Sequence, residues 1–303
     1  MTEYRAVFDA SVRFANGGGM TAEGFRLDLP SPDLSEDEVE MLFVRHLGLA
    51  MVADVALHGL RIVEEQHKGS RSVLAAQPVS AASPLVDLSH AIREGLVTYP
   101  GLPAPTITPH LTREASRERY AEGTEFGIDT ITMVGNTGTY LDSPFHRYAD
   151  GADLAALTLD QLVGLRAEVF RLTDAEDRGI PAAVFADREL RGAAVLLHTG
   201  WDRHFGSEQY GAPAPFLTEE GARFLVEQGV ALVGIDSVNI DDTSPDARGA
   251  RPAHSLLLRA GIPIVEHLTN LDQVPPSGAT FTAVPPKVER FGTFPVRAFA
   301  VLP

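Results

Sequence analysis

Residues 5–14 alternate between apolar and polar positions, apart from Val7. Ala6, Phe8, Ala10, Val12 and Phe14 fall on one face, and Arg5, Asp9, Ser11 and Arg13 on the other. A two-residue period is that of a half-buried strand. Asn16 to Gly19 supply a turn, and Phe25, Leu27 and Leu29 continue a second strand that Pro30 and Pro32 stop. Ser35 stands three residues before Glu38, a capping box that predicts a long helix to about His67. Val39, Leu42, Phe43, Leu47, Ala50 and Met51 fall at helical spacing within it. A β-β-α unit over residues 1–67 is too small to be stable unsupported. It is expected to act as an accessory module docked on the main domain or on a second subunit. Residues 68–84 lack aromatics and periodicity and read as a linker.

From residue 85 to 303 short strands and helices mix. Residues 193–197 and 230–235 are apolar throughout and read as buried strands. Thr218 caps a helix through Gln228 with Gly229 as its stop. A short helix from His254 to Ala260 ends at Gly261, a strand follows over 262–266, and residues 298–302 are expected to close the sheet. The fold class is α/β, with a β-rich core.

The chain has 303 residues, 44% of them hydrophobic and 22% charged, with a formal net charge of -16. That charge argues against nucleic acid, whose phosphates would be repelled, and against an anionic membrane surface. The start of the chain shows no basic segment followed by an apolar one, and the apolar run from Leu47 to Leu60 is broken by Asp54 and His58. A cytoplasmic location is expected. Absence of cysteine excludes disulfides, thiolate nucleophiles and sulfur-ligated zinc, so His, Asp and Glu must hold any metal.

The most informative stretch is 136–146, Asn-Thr-Gly-Thr-Tyr-Leu-Asp-Ser-Pro-Phe-His. Pro144 pushes Ser143 out of the helical region, and Gly138 allows close backbone approach. As an extended strand, the segment would put Asn136, Gly138, Tyr140 and Asp142 on one face. The stretch resembles the H-x-G-T-H-x-D-x-P-x-H signature of the cyclase family, the group that includes bacterial kynurenine formamidase and isatin hydrolase. Gly138, Thr139, Asp142, Pro144 and His146 keep the frame, whereas Asn136 and Tyr140 replace its first two histidines. The resemblance covers residues 85–303 and implies a β-rich α/β core, a small-molecule substrate and assembly as a homo-oligomer. It also implies that His254 and Glu266 complete the site with Asp142, and that His146 transfers protons.

An amide oxygen or a protonated phenol is a poor zinc or manganese ligand. The expectation is therefore at most one divalent ion, Zn or Mn, on Asp142, His254 and Glu266, or none. Three functions stay open. One is a hydrolase of an amide, lactam or lactone with His146 as general acid and base. Another is a metal-independent cyclase, dehydratase or isomerase in which Tyr140 and His146 move protons, Asn136 polarises a carbonyl and Asp142 or Glu266 orients the histidines. The third is a non-catalytic small-molecule-binding protein. Asn136, Phe145 and Trp201 are candidate substrate contacts, Trp201 by stacking on a planar substrate or, equally, as simple packing. His90 either lines the cleft or is structural. Asp236, Asp241 and Asp242 read as a solvated charge cluster.

Overall fold

A computed structural model describes residues 2–15, 17–29, 31–47, 52–66 and 84–303. The chain forms two compact units, Met1–Pro78 and Val79–Pro303. In the first, β1 (Thr2–Phe14) lies between β2 (Gly19–Leu29) and β3 (Val52–Gln66) in an antiparallel sheet. The expected alternation is present, since Ala6, Phe8, Ala10 and Val12 are buried. Helix α1 (Glu36–His46) opens with the Ser35–Glu38 capping box, and its Val39 and Phe43 pack into the same cluster. The helix does not run to His67. It ends after His46, and residues 52–66 pair along β1, so the unit is β-β-α-β. Valines 52 and 55 and the polar–apolar alternation beyond them suit a pleated surface better than a helix. Ala50, Met51, His67 and the expected linker, apart from Pro84, lie outside the described residues.

The second unit carries a nine-stranded sheet among the described residues. Its strands are β4 (Leu85–Asp87), β5 (Tyr140–Asp142), β6 (Leu165–Arg171), β7 (Ala194–His198), β8 (Leu232–Ile235), β9 (Ile264–Glu266), β10 (Thr280–Thr282), β11 (Thr293–Pro295) and β12 (Phe299–Val301). Their order is β11-β5-β9-β8-β7-β6-β10-β12-β4. The four central strands are parallel and the flanking ones antiparallel. β12 does not close the sheet, because it lies between β10 and the edge strand β4.

Both faces of the sheet are covered, which accounts for the uninterrupted apolar runs at 194–197 and 232–235. Helices α2 (Glu219–Gln228) and α3 (Pro252–Arg259) pack Leu225, Leu257 and Leu258 on one face. Thr218 caps α2 and Gly229 ends it in the left-handed region, as expected. The other face carries Leu141, Val169, Leu196, Phe281 and Ala300. Each of the larger of these side chains, Leu, Val or Phe, stabilises the fold by about 1.5–3 kcal/mol of transfer free energy. No helix of the described residues is long and apolar enough to cross a membrane.

Candidate active site

Only residues 140–142 of the 136–146 stretch form a strand. Gly138 takes φ +66 and donates its N–H to Thr98 Oγ1 at 2.8 Å, so the single extended face running back to Asn136 does not form. A Cβ at position 138 would come within 2.9 Å of Ile92, which is the close approach expected of this glycine. Ser143 is extended, and Pro144 opens a one-turn helix that ends at His146.

Register does the rest. β5 lies between β9 and β11, with Tyr140 opposite Glu266 and Asp142 opposite Thr293. Tyr140 and Asp142, two residues apart, present their side chains on one face. The Tyr140 hydroxyl donates to Glu266 Oε2 at 2.6 Å, and the Ile240 N–H donates to Glu266 Oε1 at 2.6 Å. Both groups are buried. Burial, reinforced by the Glu266 and Asp142 charges, raises the Tyr140 pKa well above its ordinary value, so the phenol keeps its proton. The Asn136 side chain bonds the same hydroxyl and acts the other way.

Asp142 is fully buried. Its Oδ1 accepts from the Thr293 hydroxyl. Its Oδ2 has no hydrogen-bond partner and lies 3.6 Å from His254 Nε2. That nitrogen is also 3.6 Å from Glu266 Oε1. On its other side, His254 Nδ1 lies 2.7 Å from Asp241 Oδ2. Asp241 also accepts the N–H groups of Ala253 and His254, so one carboxylate caps α3 and aims its histidine. Burial alone would lower the His254 pKa. The nearby Asp142 carboxylate and the hydrogen bond to Asp241, with the Glu266 charge, instead raise it to about 10. Burial raises Glu266 to about 7.

His146 lies at the mouth of this cluster, its ring centroid 6.0 Å from that of His254. Its Nδ1 is 2.7 Å from Thr293 Oγ1 and 3.6 Å from Asp142 Oδ1. Ligand atoms of Asp142, His146 and His254 all lie within 4.8 Å of one another, a spacing that a single divalent ion can bridge. The unpartnered Asp142 Oδ2 and an all-oxygen-and-nitrogen donor set fit such an ion. Asn136 and a neutral Tyr140 offer poor ligand atoms, and the Tyr140 hydroxyl hydrogen is already directed at Glu266.

Of the expected site residues, the fold brings Asn136, Tyr140, Asp142, His146, His254 and Glu266 together. Phe145 stands half-buried in the Pro144–His146 turn. Trp201 sits in a different cluster, with its indole N–H on the Tyr210 carbonyl at 3.1 Å and its ring against His204. His90 stacks on Phe205, and burial lowers its pKa to about 4. The aspartates of the 236–242 segment are not a solvated cluster. Asp236 is buried and accepts from the Thr199 and Gly200 N–H groups, Asp241 is buried beneath α3, and Asp242 pairs with Arg178. Thr293 and Asp241 were not expected in the site. A faint signal existed for Asp241: α3 starts at Arg-Pro-Ala-His, and Arg251 provides no side-chain cap, so its N–H groups needed an acceptor from elsewhere.

The charge arrangement predicts a pH dependence for the metal-free protein. The His254 pKa is raised above 6.5, so its contribution is complete below pH 6.5 and is lost as the pH climbs towards about 10. The unfolding midpoint of chelator-treated protein should fall across that interval, and His254→Asn should flatten the fall. An undiminished slope in that variant would contradict the assignment.

Comparison with known proteins identifies the family and the fold. A family model described as "Putative cyclase" matches residues 86–242. Kynurenine formamidase of Geobacillus thermodenitrificans is 33% identical over 219 residues, covering 71% of this chain and 96% of that one. A solved structure titled as a potential metal-dependent hydrolase with cyclase activity is 26% identical, with a TM-score of 0.57, covering 71% of this chain and 96% of the other. Isatin hydrolase A from Labrenzia aggregata shares the fold at 24% identity and a TM-score of 0.61, covering 72% and 93%.

Proposed function

The chain belongs to the cyclase family of hydrolytic enzymes, and on that premise we propose that it hydrolyses the C–N bond of a small amide or lactam, with His146 as general acid and base. The observation that carries the reading is the buried Asp142 carboxylate with one unpartnered oxygen, set between His146 and His254.

Asp142 and His254 would hold one divalent ion, with Glu266, which faces the same His254 nitrogen, as the third donor or His146 in its place. When bound, that ion supplies Lewis-acid polarisation of the carbonyl and eases deprotonation of water. His146 Nε2 remains free to take a proton from the attacking water and return it to the leaving nitrogen. Tyr140 holds Glu266 in place by a hydrogen bond from its hydroxyl, and Asp241 keeps His254 in one orientation. A phenol that retains its proton donates hydrogen bonds but is a poor base, which weighs against Tyr140 as the proton acceptor of a metal-independent isomerase.

A metal-independent reading has one observation in its favour. His254 Nε2 stands 3.6 Å from both Asp142 and Glu266, so a charged imidazole would offset the two carboxylates in place of a cation. The test is a turnover assay on the N-formyl amide of kynurenine, isatin and simple lactones. Release of the ring-opened or deformylated acid from at least one C–N substrate is expected. No turnover of any of them, with and without added Zn or Mn, overturns the proposal.

A further inference from the structure

We propose that Thr293 is the positioning residue of the proton-transfer step, its hydroxyl fixing His146 as the Nδ1–H tautomer so that Nε2 faces the reaction. The inference rests on the hydrolytic reading above for its kinetic consequence but not for its chemistry.

Thr293 Oγ1 is bonded to Asp142 Oδ1 and lies 2.7 Å from His146 Nδ1. A hydroxyl has one hydrogen, and a carboxylate only accepts. The Thr293 hydrogen therefore goes to Asp142, and the hydroxyl oxygen must accept from His146 Nδ1–H. The direct His146–Asp142 separation is 3.6 Å, too long for a hydrogen bond, so the threonine carries the link. The neutral imidazole then has its lone pair on Nε2 alone. Protonation adds a hydrogen there and leaves the Thr293 bond unchanged.

The backbone is shaped for this contact. Thr293 sits directly opposite Asp142 across the β5–β11 pair, which places both side chains on the same face. Gly292, one residue earlier, accepts the Ser143 N–H at 2.8 Å. A Cβ at position 292 would fall 2.6 Å from the His146 backbone nitrogen. Only a residue without a side chain lets β11 come this close to the His146 turn.

The test is the tautomeric state of His146 read from long-range proton–nitrogen correlation spectra of the full-length, 15N-labelled protein, assigned with His146→Gln. The wild type should show Nδ1 protonated and Nε2 unprotonated in the neutral ring. Thr293→Val should lose that preference, and Thr293→Ser should restore it. In parallel, Thr293→Val should lower kcat by about 10–100-fold with KM nearly unchanged, and Thr293→Ser should recover most of the loss. A wild-type spectrum with Nε2 protonated overturns the inference even if the valine variant fails to fold. So does a folded valine variant whose tautomer is unchanged. A wild type with the expected tautomer that hydrolyses none of the amides keeps the inference and removes the functional reading instead.

Discussion

His146→Ala should lower kcat on the true substrate by about 10²–10⁴-fold, the usual scale for a positioned general acid–base group. Imidazole titrates closest to physiological pH, so it can accept and return a proton in one cycle. His146 lies at the opening of a buried cluster, with one nitrogen committed to Thr293 and the other uncommitted. Its side chain is 35% exposed, so its removal should cost only about 1 kcal/mol of stability through the lost hydrogen bond. The same variant separates two ligand sets. If Glu266 is the third donor, metal content is unchanged, and if His146 is, metal content falls with activity. A variant that keeps near-parental turnover would remove His146 from the mechanism.

Asp142→Asn should be the more damaging substitution, because it strikes stability and activity together. It replaces a buried anion with a neutral group of the same shape. His254 then loses one of the carboxylates that hold its charge, and an amide nitrogen can come to face the Thr293 hydroxyl or His254. Breaking one partner of a buried charge pair costs about 3–5 kcal/mol. Loss of the electrostatic support should lower kcat/KM by about 10²–10³-fold in whatever fraction remains folded. Urea unfolding and initial-rate kinetics read the two effects separately. A variant as stable as the parent would show that Asp142 carries no charge of consequence in the folded site.

Much of this was legible from the sequence, and the reasons differ by element. Alternation identified β1 because one of its faces is buried and the other is not. The capping boundaries of α2 were legible because Thr218 and Gly229 act within the helix itself. The second half of the expected first helix failed because residues 52–66 satisfy their backbone by pairing with β1, which lies far off in sequence. Asp142, His146, His254 and Glu266 could be named from a motif and a resemblance. The Tyr140–Glu266 bond could not, since it exists only because β5 and β9 pair in one register. Thr293 is the extreme case: it stands in a Phe-Gly-Thr-Phe-Pro run with nothing local to mark it. Its role comes entirely from lying opposite Asp142, 151 positions away.

The central claim is that replacing the first two motif histidines by Asn136 and Tyr140 leaves room for one ion at most. Elemental analysis of protein purified without chelator tests it most directly. No more than one divalent ion per chain is expected, because the Tyr140 phenol keeps its proton in a hydrogen bond to Glu266 and cannot serve as a ligand near neutral pH. Two tightly held ions per chain would contradict it.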